Sequence, residues 1–235
     1  MPPILKAFNF KNRYSTKRVG TVDTFKTFHI LCEGTVTEPK YFKAIRNCNF
    51  LNVRNNIEVE ILKRTESDKG RTQLSELFKL MKQYIDDNKL TDDDIPVLVV
   101  DFDAHKDNPN FIDEIKAIEA YGIKVFGNSP CFELWLILHI ENALNTYILP
   151  NKTAIYHNDK ISNVHTFTSS LASKILGFNT KYLIKPEILS GIYHAIDQST
   201  ELENDLYKLN KDIGTNLQFL IKEILRDERF TNDNN

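Results

Sequence analysis

Val97-Leu98-Val99-Val100 runs directly into Asp101-Phe102-Asp103, and no other stretch restricts this chain so much. Four apolar residues, three of them β-branched, have the length and branching of a strand buried on both faces, bounded upstream by Pro96. If the extended conformation continues, Asp101 and Asp103 emerge on the same face, roughly 6–7 Å apart along the strand. Two neighbouring carboxylates repel unless a cation or a proton lies between them. The stretch therefore reads either as a metal site or as a polar strand end whose aspartates cap a turn.

Strands and helices alternate on both sides of this junction. Phe28–Cys32 reads as a buried strand ending at Glu33-Gly34, and Thr37 is placed to cap a helix with Pro39 in its first turn. A second strand spans 57–62. Leu74, Leu77, Phe78, Met81 and Ile85 then fall at helical spacing. After the Asp101 strand come a helix over 111–121, closed by Gly122, and a short strand over 123–126. This alternation predicts an α/β fold, a parallel sheet flanked by helices. In such sheets chemistry gathers at the carboxyl ends of the strands, which places Glu33 beside Asp101 and Asp103. Ser129 is expected to cap a nearly all-apolar helix over 130–139 in which Glu133 and His139 need partners.

The sheet pattern stops at Asn142. Residues 143–164 read as polar loop, and helices are expected at 165–176, 187–210 and 216–228. The predicted organisation is a basic arm (1–22), an α/β core (23–142), a helical C-terminal region packing on it (143–230) and a tail (231–235). The arm carries Lys6, Lys11, Arg13, Lys17 and Arg18, interleaved with Phe8, Phe10 and Tyr14. Such a segment can hold a phosphate backbone and stack on bases, so Lys11, Arg13, Lys17 and Arg18 are the nucleic-acid-binding candidates. A solvated arm is the alternative.

A net charge of −2 excludes a uniformly basic coat but not a local basic surface. No apolar run approaches the roughly 20 residues of a membrane span. Three cysteines without metal-type spacing point to a reduced, cytoplasmic protein.

Magnesium and manganese favour hard oxygen ligands and keep waters or substrate phosphate in the rest of the shell. Glu33, Asp101 and Asp103 would supply such an incomplete shell, and an ion held there can neutralise a phosphodiester and activate water. Glu38, one turn into the first helix, is a further ligand or a helix-dipole partner. His105 and Lys106 follow the aspartates and could orient substrate or assist proton transfer. Lys63 and Arg64, after the second strand, point to the same edge as phosphate binders. Glu133 is expected to hold His139 or a backbone group near that edge.

Glu-Gly after the first strand and Asp-x-Asp after the third resemble the topoisomerase–primase (Toprim) domain. Two longer strings, Leu31–Phe42 and Asn128–His139, look like the RloB-like family. So do Asp101-Phe102-Asp103 with His105 behind it, and Gly214-Thr215-Asn216 before a helix. The resemblance covers nearly the whole chain. It implies a Toprim-type fold in a bacterial defence or abortive-infection protein, often encoded beside an ATPase partner, with a metal-dependent nuclease activity on DNA or RNA. It also implies Mg²⁺ or Mn²⁺ binding by Glu33, Asp101 and Asp103, and family-motif membership for Asn128, Glu133 and His139. A sensor or partner-binding subunit with a vestigial acidic site is the other reading. Ala104-His105 departs from the Toprim pattern, in which a glycine often stands close by.

Overall fold

The computed structural model describes residues 25–49, 51, 56–64 and 73–225. The basic arm with Lys11, Arg13, Lys17 and Arg18, and the tail, lie outside the described residues.

Five strands form one sheet in the order β2-β1-β3-β4-β5. β1 (Lys26–Cys32), β2 (Ile57–Ile61), β3 (Asp94–Asp101) and β4 (Lys124–Ser129) are parallel. Helices α1 (Thr37–Arg46), α2 (Leu74–Asn88) and α3 (Phe111–Ala120) connect them. The pleat sorts the strand residues into two cores. Phe28, Ile30, Cys32, Val97 and Val99 face the larger core, which holds α1 and the C-terminal helices. Leu31, Leu98 and Val100 face the smaller one under α2 and α3. The two central strands are thus apolar on both faces, as a doubly covered parallel sheet demands.

The C-terminal region departs from expectation in three places. Residues 144–157 are not loop: they wind through a π-turn at Leu144–Ile148, a 3₁₀ turn at Leu149–Asn151 and helix α5 (Lys152–His157), whereas 158–164 are irregular, as expected. Leu144, Ile148 and Ile155 are buried and anchor these turns, while Leu149 is exposed. The helix expected over 187–210 breaks into a 3₁₀ segment, Pro186–Gly191, and α7 (Ile192–Ser199). Beyond Ser199 the side chains compete for the backbone. The Ser199 and Thr200 hydroxyls donate to the carbonyls of Ile196 and Asp197, and the Glu203 carboxylate accepts the N–H groups of Asn204 and Asp205. Third, the sheet does not stop at Asn142. Gly214–Thr215 forms β5, antiparallel to β4 at an otherwise parallel sheet's edge. Helix α6 (Phe167–Leu176) lies within the expected span, and α8 (Leu217–Ile224) follows β5 directly.

Two expected caps are used differently. Thr37 is the first residue of α1, not its cap, and its hydroxyl donates across the molecule to the Thr180 carbonyl at 3.0 Å. Ser129 joins Pro130 through a cis peptide, and helix α4 begins only at Glu133 and ends at Ile137. Gly122, by contrast, follows α3 with φ +96°, the left-handed conformation that favours glycine at a helix end. No described helix is long and apolar enough to cross a membrane.

Candidate functional site

The carboxyl ends of β1 and β3 open on a cavity of about 280 Å³. Glu33, Glu38, Asp101, Asp103 and Glu133 line it, together with Gly34, Phe132 and Lys181. Five carboxylates, from the ends of β1 and β3, the turn after β3, α1 and α4, therefore meet around one space, with a single lysine among the described lining residues.

Asp101 and Asp103 reach the cavity by a route other than strand alternation. The chain leaves the extended conformation after Asp101 and turns through a 3₁₀ helix, Phe102–His105. Asp103 is thus delivered by a turn, whose position is secured by its N–H donating to the Pro130 carbonyl at 3.0 Å. Each aspartate is oriented by an asparagine. Asn128 donates to Asp101 Oδ1 at 3.3 Å, and its own Oδ1 lies 2.9 Å from the Thr215 hydroxyl on β5. Asn158 donates to Asp103 Oδ2 at 2.6 Å while its Oδ1 accepts the Thr168 N–H at 2.9 Å. It has φ +50° as the residue ending α5, a left-handed conformation that asparagine adopts more readily than most side chains. Sequence reasoning missed Asn158 because it sits in the stretch read as loop, and Lys181 for the same kind of reason. Asn-Asp at 158–159, a turn pair, was the available signal.

Glu33 is nearly enclosed. Its Oε2 accepts the Asp101 N–H at 3.0 Å and lies 3.2 Å from His105 Nε2. His105 in turn stacks on Phe111, the ring centroids 4.3 Å apart. It stands behind Glu33 and does not line the cavity, so it is placed to orient that carboxylate. Arg64 donates to the Glu33 carbonyl, whereas Lys63 is exposed. Lys106 does not line the cavity: its ammonium donates to the Tyr156 and His157 carbonyls at the end of α5, at 3.0 and 2.9 Å, although its charge still favours the ionised form of Asp103. Glu38 curls back over the start of its own helix, accepting the Gly34 N–H at 3.1 Å. A Cβ on residue 34 would land on that carboxylate, so a larger residue there would require Glu38 to move.

Glu133 does not hold His139. It is 2% exposed, and its Oε1 pairs with Lys181 Nζ at 2.8 Å. His139 belongs to a separate buried ring. Trp135 Nε1–H donates to the Tyr41 hydroxyl at 2.9 Å, and Tyr41 O–H donates to His139 Nε2 at 3.0 Å. His139 Nδ1–H closes the ring on the Trp135 carbonyl at 2.9 Å. This fixes a neutral tautomer, and burial lowers His139 from 6.5 to about 4.

The cavity is electrostatically crowded. Burial, then the charges of Glu38, Asp103, Glu33 and Glu133, pushes the Asp101 carboxyl well above the usual range. Burial likewise raises Asp103, against the bond from Asn158. Glu38 rises to about 7, through burial first and then Glu133 and Glu33, opposed by backbone hydrogen bonding and Lys181. For Lys181, burial alone would lower the ammonium, but Glu133 outweighs it and the net shift is upward. Clustered, partly dehydrated oxygen donors short of positive charge suit a hard divalent cation. Among the described residues, however, no three His, Cys, Asp or Glu side chains are already arranged as a metal shell. The donor set fits Mg²⁺ or Mn²⁺, while Glu33 would have to share its oxygens between an ion and its present partners.

No curated protein and no solved structure matches the chain. The family model described as RloB-like protein matches residues 28–224. That span begins in β1, ends in α8, and includes all five carboxylates, both asparagines and Lys181. This chain belongs to the RloB-like family.

Proposed function

We propose that the carboxylate cavity binds a divalent metal and that the protein hydrolyses phosphodiester bonds in DNA or RNA, as a Toprim-type nuclease in antiviral defence or abortive infection. The observation that carries this reading is the convergence of Glu33, Asp101 and Asp103 on one cavity at the carboxyl edge of the sheet. Mg²⁺ or Mn²⁺ held by these three would supply charge neutralisation and an activated water. The chain's own residues do the positioning. Asn128 and Asn158 aim the aspartates, and His105 with the Asp101 N–H sets the orientation of Glu33. Lys63 and the arm residues Lys11, Arg13, Lys17 and Arg18 would add salt-sensitive attraction for a phosphate backbone.

The test is incubation with plasmid, single-stranded DNA and RNA under Mg²⁺ or Mn²⁺. Cleavage is expected from the wild-type chain and its loss, by a factor of at least about 100, from Asp101→Ala combined with Asp103→Ala. Persistence of cleavage in that double variant removes the assignment.

A second reading is favoured by one observation. Glu33 is already engaged by two partners in a site without a ready metal shell. In that reading the protein is a sensor or partner-binding subunit of an ATPase-containing defence system, and the acidic site is vestigial. It predicts no measurable metal binding together with a stable complex with the ATPase.

A further inference from the structure

Lys181 is placed with more care than a charge-balancing lysine requires. It follows α6, beyond Gly177, which ends that helix at φ +70°. The Asn179 side chain accepts the Lys181 N–H at 3.0 Å. On either side of it, the carbonyls of Thr180 and Tyr182 are held to the first turn of α1, by the Thr37 hydroxyl at 3.0 Å and the Lys40 ammonium at 2.6 Å. The segment is thus fastened through three successive residues, and the side chain between the two α1 contacts enters the carboxylate cavity to meet Glu133. The Lys181 side chain is 38% exposed, while that of its partner Glu133 is almost fully enclosed. Tyr182, the next residue, is 65% exposed beside it. Lys106, expected from the sequence to act beside the aspartates, is committed to backbone carbonyls.

An ammonium on a partly exposed side chain, paired with a buried carboxylate, can bind a second anion without leaving the first, because it has three donors. We infer that Lys181 is the residue of this site that grips the substrate backbone, pairing with a nonbridging phosphate oxygen at the cavity mouth while Glu133 anchors it from below. This rests on the nuclease reading above and adds to it a named contact, which supplies positive charge where the five carboxylates would otherwise repel a polyanion.

The experiment measures binding apart from cleavage. Fluorescein-labelled single-stranded DNA and RNA 20-mers are titrated with the full-length protein, by anisotropy in Ca²⁺ and again in EDTA, across a salt series. Lys181→Met is expected to weaken binding about 10-fold and to flatten the salt slope by about 0.7, the increment for one phosphate contact on a single strand. Lys181→Arg should stay within about 3-fold of wild type, since either cation pairs with phosphate. Lys181→Met combined with Glu133→Gln removes the unpaired buried charge and should show the same binding loss in a stably folded protein. Unchanged affinity and slope in that double variant overturn the inference and make Lys181 a counter-ion only. Failure of the wild type to bind either oligonucleotide overturns both this inference and the nuclease reading. Wild-type binding without cleavage, still lost with Lys181, sustains the contact and removes only the nuclease reading.

Discussion

His139 and Asp101 are both buried titratable residues in family-like strings, and their surroundings give them opposite uses. His139 has each ring nitrogen satisfied by Tyr41 and the Trp135 carbonyl, so it works as a neutral packing element. Its folded value of about 4 lies below the ordinary 6.5. The unfolded chain therefore takes up a proton first on acidification. The stability this residue contributes is present above pH 6.5 and lost as the pH falls from there towards 4, on the order of 3 kcal/mol in all. His139→Gln should flatten the acid dependence of urea denaturation in that window; an unchanged slope would show that His139 does not stay neutral. Asp101 is strained by its company. Asp101→Asn keeps an acceptor for Asn128 and removes one of the crowded carboxylates, so in EDTA the variant should melt at a higher temperature than wild type. A lower melting temperature for the variant in EDTA would argue that the cluster is not repulsive.

Among the elements, β5 contributes far more than its two residues suggest. Thr215 pairs with Asn128 in the ladder and its hydroxyl meets Asn128 Oδ1 and the Gly127 carbonyl. Asn216 extends the same edge, with its side-chain oxygen accepting the Gly127 N–H at 2.7 Å. A relay therefore runs from β5 through Asn128 to Asp101. Thr215→Val leaves a buried amide oxygen short of a partner and frees Asn128 to rotate. It should cost about 1–3 kcal/mol in urea denaturation and lower any activity at the carboxylate cavity more than Thr215→Ser does. Equal effects of the two substitutions would separate the hydroxyl from the site.

The parallel strands and the first three helices were readable because their apolar periods are long and uninterrupted, and Glu33, Asp101 and Asp103 could be set on one edge by topology alone. β5 was not readable, since two residues carry no period. The partner of Glu133 was not either: Lys181 lies 48 positions away, in a segment whose shape is set by side-chain bonds from Thr37, Lys40 and Asn179. The turn after Asp101 also escaped, because Phe102 satisfies a strand pattern and a 3₁₀ turn equally well.

Across the whole molecule, the site is a product of long-range assembly. β1, β3 and α4 bring the acids, the α5–α6 junction brings Asn158, the segment after α6 brings Lys181, and β5 braces the ensemble. The larger core runs without interruption from β1 through α4 to α8, so these contributions share one hydrophobic interior. On the function proposed above, this cavity binds a hard divalent cation. Calorimetric titration of the full-length protein with Mn²⁺ tests it most directly. Saturable binding is expected, lost in Asp101→Ala combined with Asp103→Ala, reduced in Glu33→Gln and retained in His139→Gln. Absence of binding in the wild type, or binding untouched by the aspartate substitutions, would contradict it.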